Sequence, residues 1–472
     1  MFNFGLKPEG LVIGDRRIHY AFVIVGVATI MWMTSSSLRF AVAVLVPEFE
    51  DLFGWSLTII TAGFTIQWLM SAALSPICGW LSDRYGVRRV MWGGGLLFMF
   101  GMIMTGIMNS WWEYYIYFGL VLAAGMASFQ VTLVSGVTLW FRKNLGLVMG
   151  VLQGLQGLGT GLAILMVYLL FERYGLQVTF WVPGIAGGVI LLTLTKWFYN
   201  EPADRGITQW GAPPDEPVRR LQNNAIAKLR TRVFLKEVQK TFTFWNLGTI
   251  HGLGCAGHNI ILILLVAIAI DDGISSGMAA MIYLTLTVVS TLTRFAVPVL
   301  ADLIGSKWVM GVCFGLQTLP ILILFWAGDS VSLYFLFAVL FGIGMGGEMT
   351  AFPIINRQYY ADAPTGTAYG WQMMGAGFGM ALGPVAAGFL RDMTGSYVSS
   401  LWLSFGLSTL AVAAILFLPS TKRLQLPDWE EALPPEARGN VARAQAIADT
   451  PAAAPSGQPA PAAGATGDGD GD

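Results

Sequence analysis

Charge is scarce in this chain. Asp, Glu, Lys and Arg supply 12% of its 472 residues, about half the share found in a soluble globular protein. Most of its surface therefore meets something other than water, which excludes an ordinary soluble enzyme. Neither sign is in excess: 27 Lys and Arg stand against 28 Asp and Glu, too balanced for the basic surface that a nucleic acid demands. Cysteine occurs only as Cys78, Cys255 and Cys313, each alone in an apolar run. That spacing provides neither a disulfide framework nor a zinc site, so the three read as small core residues, with no metal and no cofactor expected. No G-x-x-x-x-G-K-[ST] segment occurs, which argues against direct ATP coupling. Three scattered histidines do not form a nucleophile–base set, so no enzymatic activity is expected.

Hydrophobic residues, by contrast, make up 55% of the chain and the mean hydropathy is +0.62. The implied solvent is lipid. A bilayer core needs about 20 apolar residues per helix, and stretches of that length recur twelve times, over 19–46, 56–81, 89–108, 114–140, 145–171, 178–199, 244–270, 276–300, 307–327, 332–356, 366–390 and 399–418. The fold class predicted is an all-α polytopic membrane protein. Its parts are an N-terminal segment 1–18, a first six-helix bundle 19–199, a connection 200–243, a second six-helix bundle 244–418 and a tail 419–472. With the N-terminus inside, only Arg173 and Arg391 fall in outer loops, while Arg39 and Arg294 lie within spans, away from their ends. The positive-inside rule then predicts both termini on the cytoplasmic side of a plasma membrane, taken as a bacterial inner membrane. In the connection, Ile226, Leu229, Val233 and Val238 fall near one helical face among Lys228, Arg230, Arg232, Lys236 and Lys240. That pattern suits a helix on an anionic leaflet or a solvated, partly helical linker. The Ala/Pro/Gly-rich tail is expected to be disordered.

Comparison of the chain with itself is the most informative step. Gly79-Trp80-Leu81-Ser82-Asp83-Arg84-Tyr85-Gly86-Val87-Arg88-Arg89 aligns with Pro298 to Trp308, matching Asp83 to Asp302 and Gly86 to Gly305, and at the same offset Gly125-Met126 meets Gly344-Met345. The two halves are duplicates. The first of these loops, G-x-L-x-D-R-x-G-x-R-R, resembles the signature loop of the major facilitator superfamily, whose second copy is degenerate as here. The resemblance implies two pseudo-symmetric six-helix bundles around a substrate site near the membrane midplane. Shorter pieces are similar to bacterial relatives of monocarboxylate transporters and oxalate/formate antiporters: Leu38-Arg39-Phe40, Phe53-Gly54-Trp55-Ser56, Arg230 to Phe234, Arg294 in the eighth span, and Gly342 to Glu348.

A charge within a span costs about 3 kcal/mol on insertion scales, so its retention asks for a reason. Arg39 and Arg294 both lie well inside spans. A guanidinium stays protonated and fits a carboxylate with two parallel hydrogen bonds, which makes an anionic substrate its natural partner. By resemblance, the arginine of the eighth span contacts the substrate carboxylate, a role that carries onto Arg294. Two departures matter: Ser290 stands where many monocarboxylate transporters have Asp, and no Lys occurs from Gly366 to Leu390, where oxalate antiporters have one. The first puts the usual proton route in doubt and the second favours a monocarboxylate over a dicarboxylate.

His258 and Asn259 sit centrally in the seventh span and His251 nearer its inner end. A central histidine suits either packing or proton exchange. Glu348 is the clear carboxylate within a span, equally suited to carrying a proton or to a structural pairing. Gln130, Gln153, Gln156, Gln372 and Asn356 offer further hydrogen bonds, though glutamines in helix bundles commonly bond neighbouring helices. In the loop, Gly79, Asp83, Arg84, Gly86, Arg88 and Arg89, with Asp302 and Gly305, predict a conformational latch. Asp83 would pair with Arg84, Arg88 or Arg89, or face a neighbouring helix N-terminus; the plainer alternative is that these charges only set topology. A stripe of Gly146, Gly150, Gly154, Gly157 and Gly161 predicts close helix packing.

The function expected from these observations is secondary active transport of a small organic anion, a monocarboxylate foremost, by alternating access, coupled to protons or by exchange. The expected partners are that anion, the bilayer and a proton, with the protein a monomer. The alternatives are a carrier of another solute, such as a sugar or drug, and a transporter-like membrane sensor.

Overall fold

The computed structural model describes residues 4–438, apart from 8–9, 14–15, 42–44, 214–215, 217, 219–224 and 362. A three-stranded antiparallel sheet opens the chain, with β1 Phe4–Lys7, β2 Gly10–Ile13 and β3 Arg16–His19 in sequential order. The helices follow: α1 Tyr20–Ala41, a short α2 Val46–Phe53, α3 Leu57–Tyr85, α4 Val87–Thr105 and α5 Trp111–Thr138. A continuous helical stretch, Leu145–Trp197, breaks at Gly175 (φ 73°) into α6 (145–174) and α7 (176–197). A positive φ is open to glycine without steric cost, so the reversal sits at the residue that permits it. The second half comprises α8 Ala225–Val238, α9 Phe242–Asp271, α10 Ser276–Ile304, α11 Ser306–Leu324, α12 Val331–Tyr360, α13 Gly366–Thr394 and α14 Val398–Leu416. Ten of these helices are long and apolar enough to cross a bilayer; α1 and α6 complete twelve in two bundles.

Even-numbered crossings bring the described residues of 4–19, 200–241 and 419–438 to one end of the bundle, the basic face. On that face the halves meet along two seams. At the first, α3 lies on α13, with the Cα of Gly79 and Gly366 so close that a Cβ at Gly79 would meet Gly366 O at 2.6 Å. At the second, α6 lies on α10: a Cβ at Gly146 would meet Pro298 O at 2.0 Å and one at Gly150 would meet Arg294 O at 2.9 Å. Gly146, Gly150 and Gly154 thus act as the stripe predicts, against α10, while Gly157 and Gly161 fall outside the described packing.

The apolar core repeats this asymmetry. One cluster runs through the first half and into the second at the basic face, joining Phe98 and Trp140 to Met310, Tyr359 and Ala368. A separate cluster, including Ile261, Leu286, Phe337 and Leu401, fills the second half towards the far face. The halves share a core at the basic face and keep their own cores away from it, the arrangement of a carrier closed on the basic side.

Two elements differ from the sequence expectation. The C-terminal part of helix α8 is covered by protein rather than left free for a leaflet: Phe234 and Val238 are buried, and Phe234 packs edge-on against Tyr360 and Trp429. Nor is the tail disordered from residue 419. Tyr359 Oη donates to Pro419 O (2.6 Å), Gln425 N donates to Tyr359 O (2.7 Å), Arg230 pairs with Glu430, and Leu433 and Ala437 are buried. Of the apolar face expected on α8, Val238 is thus buried within the protein while Ile226 stays exposed. The remainder of the tail, 439–472, lies outside the described residues.

Candidate functional site

The duplicated loops fold as duplicated latches. Gly86 and Gly305 both turn the chain with positive φ, 87° and 96°, and so aim the preceding aspartates across the seams. Asp83 Oδ2 accepts from Thr367 N (2.6 Å) and Thr367 Oγ1 (2.5 Å). Asp302 Oδ2 accepts from Gly146 N (2.6 Å). Each carboxylate takes the amide of the second residue of a helix in the opposite half, where unpaired N–H groups and the helix dipole favour an anion. Of the two arrangements open to Asp83, this is the helix N-terminus rather than an arginine. The arginines go elsewhere: Arg84 lies over the rings of Trp80 (5.1 Å) and Tyr85 (5.4 Å), Arg88 Nη2 donates to Lys196 O (3.0 Å), and Arg89 is exposed.

Deeper, Arg294 on α10 is half-buried against α6, with its Nε buried. Its Nη1 donates to Gln153 O at 3.4 Å, a long contact, and its Nε has no hydrogen-bond partner among the described residues. No carboxylate stands within ion-pair distance of it among them. Gln153 thereby meets Arg294 through its backbone, and the pair straddles the seam between the halves. A half-buried guanidinium with a buried, unbonded Nε is costly, and the group that would relieve it is a planar anion able to take two N–H bonds at once. The side chain of Arg39 lies outside the described residues, although its backbone belongs to α1.

His258 and Glu348 come together from α9 and α12: His258 Nδ1 lies 2.9 Å from Glu348 Oε2, with both side chains buried. Cys255, one turn before His258, reaches Glu348 Oε1 at 4.0 Å, and Gln317 of α11 also faces the carboxylate. His251 stacks on Phe352, ring centroids 3.7 Å apart. A carboxylate and an imidazole at hydrogen-bond distance can share one proton and pass it on when the surroundings change. The Cys255, His258 and Glu348 donor atoms lie within 4.8 Å of one another, with the imidazole and carboxylate at ion-pair distance.

The remaining amides are mostly spent on helix packing. Gln372 and Asn356 bond reciprocally (2.8 and 3.0 Å), and Asn259 Nδ2 donates to Met380 O (2.7 Å). Gln130 borders a cavity of about 10 Å³ between α3, α5 and α13, roughly one water. Gln156 accepts from Thr160 Oγ1 through its backbone (3.1 Å). The sequence reading missed Thr367, 284 residues from Asp83, for which no local signal exists. It also passed over Cys255, whose i,i+3 spacing to His258 was visible.

The comparisons agree with this geometry. A family profile described as Major Facilitator Superfamily matches residues 21–257 and 247–454. The oxalate:formate antiporter of Oxalobacter formigenes is 22% identical over 86% of this chain and 94% of its own length. The human monocarboxylate transporter 2 is 24% identical over 84% of each, and the MFS transporter asaE of Aspergillus flavus is 23% identical over 71% of this chain and 72% of its own. Among solved structures, the proton:xylose symporter XylE superposes with a TM-score of 0.66 at 14% identity, covering 87% of this chain and 98% of that one. With duplicated halves, latched seams and a family match along nearly the whole membrane region, the chain belongs to the major facilitator superfamily and is a multi-pass membrane transporter.

Proposed function

We propose that this transporter carries a small organic anion, a monocarboxylate foremost, by alternating access, with a proton taken up at the Glu348–His258 pair or in exchange for a second anion. The observation that carries the reading is Arg294: a permanently charged fork, half-buried at the seam of the two halves, with Nε unbonded among the described residues and Nη1 in a single long contact. A neutral solute would leave that charge uncompensated, whereas a carboxylate completes it. Two relatives are named for small carboxylates, oxalate and formate in one and monocarboxylates in the other. The Lys/Arg bias supports an orientation with the basic face cytoplasmic, in a plasma membrane, which for a bacterial chain is the inner one.

The test is uptake of radiolabelled lactate, pyruvate, acetate, formate and oxalate into proteoliposomes, with and without a pH gradient. Saturable uptake of a monocarboxylate, competed by its analogues, is expected. Transport of none of the five alongside transport of a neutral sugar would sink the proposal. Stimulation by an inward proton gradient selects symport, and dependence on internal anion selects exchange.

A further inference from the structure

Away from the seams, α9 and α13 form a cleft of about 520 Å³, closed on one side by Leu403 and Leu407 of α14. Glycines shape it. The backbones meet at Gly248 and Gly375, where a Cβ on Gly375 would stand 2.5 Å from Gly248 O, and at Gly252 and Gly379, where the distance would be 2.1 Å. With the backbones in contact, no side chain fills the space beside them. The cleft lies on the outer wall of the bundle: the α13 edge bearing Met373, Ala376, Gly377 and Met380 turns towards α3, and the other edge, Met374, Phe378 and Leu382, lines the cleft.

Its polar groups are satisfied within the protein. Thr249 Oγ1 donates to Trp245 O (3.0 Å), Gln372 turns to Asn356, and Trp245 Nε1 donates to Gln239 O (2.8 Å). What remains is hydrocarbon surface. From Phe244 to Ala256 the cleft follows roughly 18 Å of helix at 1.5 Å per residue, close to one leaflet of a hydrocarbon core about 30 Å thick. At its mouth on the basic face, Trp245 and Trp371 meet edge to face, centroids 5.9 Å apart. The Trp245–Gln239 bond folds that mouth against the turn carrying Lys240, where a row of exposed cations from α8 ends: Lys228, Arg232, Lys236 and Lys240, four residues apart. Lys240 also pairs with Glu237 at 2.7 Å, so the row keeps a positive balance.

From this juxtaposition we infer that the α9–α13 cleft is a binding site for an anionic phospholipid, one acyl chain lying in the cleft and the headgroup held at Lys236 and Lys240. An apolar slot one leaflet deep matches the chain, the indole pair marks the interface, and the cations select the headgroup. The lipid would lie across a glycine contact on the helix whose opposite edge forms the α3–α13 seam, so it belongs to the wall that must move when the carrier switches.

The test uses the full-length transporter in mixed micelles with phosphatidylglycerol or phosphatidylcholine brominated on the acyl chain, which quenches nearby tryptophans. Brominated phosphatidylglycerol is expected to quench at roughly tenfold lower concentration than phosphatidylcholine. The component specific to phosphatidylglycerol should vanish when Trp245→Phe and Trp371→Phe are combined. Lys236→Gln with Lys240→Gln should bring the two lipids to the same midpoint. Gly248→Leu, at a position with no atom within 4 Å of its Cβ, should fill the slot and reduce quenching by both. Equal quenching by the two lipids in the parent protein would overturn the proposal. So would a tryptophan pair that makes no difference, or a Gly248→Leu protein that loses a dimer rather than a lipid, since the last would make the cleft a contact with a second copy.

Discussion

Arg294 concentrates the chemistry of this protein in one side chain, because it brings charge to the seam with no carboxylate at ion-pair distance among the described residues. Lysine at that position would keep a charge and lose the fork. Arg294→Lys is therefore expected to weaken apparent substrate affinity roughly ten- to a hundredfold, the equivalent of about 1.5–3 kcal/mol for a charge-assisted bond. Uptake kinetics at matched expression measure this, and unchanged kinetics would remove the main support for an anionic substrate. The Glu348–His258 pair makes a separable prediction. Glu348→Gln and His258→Gln each leave a hydrogen-bonding side chain but remove the exchangeable charge. If the pair carries the coupled proton, both variants should lose accumulation driven by a pH gradient while retaining counterflow exchange; gradient-driven accumulation in both would assign coupling to another group.

At the scale of elements, what matters is how the ends of helices are held. Asp83 and Asp302 are the same device used twice, but Asp83 accepts two bonds from Thr367 and Asp302 one from Gly146. Asp83→Asn should thus open the basic face more than Asp302→Asn does, by up to roughly tenfold in the population ratio for about 1.4 kcal/mol lost. Substrate binding should survive and turnover should slow, as equilibrium binding and transport assays on the same sample would reveal.

The first sheet is held differently. His19 Nδ1 accepts from Ala21 N (3.2 Å) at the start of α1, its ring lies against Trp210 with centroids 5.5 Å apart, and it donates to the Thr208 backbone. Burial is the larger influence and holds its pKa below the ordinary 6.5, the Thr208 bond opposing it only in part. A histidine depressed in the folded state stabilises the contact above the unfolded pKa and loses it as pH falls. Hydrogen-exchange protection factors in residues 205–212, corrected for the intrinsic pH dependence of exchange, should therefore fall below about pH 6.5, and His19→Gln should flatten that dependence.

For the whole molecule, the shared core at the basic face and the separate cores beyond it describe one end point of a cycle. The seams are glycine contacts, so a side chain there should act as a wedge. Gly146→Val places atoms where Pro298 O already lies 2.0 Å from a single Cβ, and it should drive the population towards a state open on the basic face. Spin labels at the exposed positions Arg89 and Leu303 would report this as a longer distance distribution than in the parent. An unchanged distribution in a folded variant would mean that the halves do not separate along α6 and α10.

The order of residues is enough to show that the chain spans a membrane repeatedly, that its halves are copies, and that Asp83, Asp302, Arg294, His258 and Glu348 are charged or titratable groups in costly positions. Hydropathy, internal repeats and the cost of charge in lipid are properties of residues in order, so they can be read along the chain. Tertiary structure alone decided what each charge meets: Asp83 chose Thr367 over three adjacent arginines, Glu348 chose His258, and Gln372 was spent on Asn356. It also turned the apolar face of α8 and the start of the tail onto each other. Helical periodicity shows that a face will be buried, but whether lipid or protein buries it depends on partners hundreds of residues away, brought near only when the two bundles close.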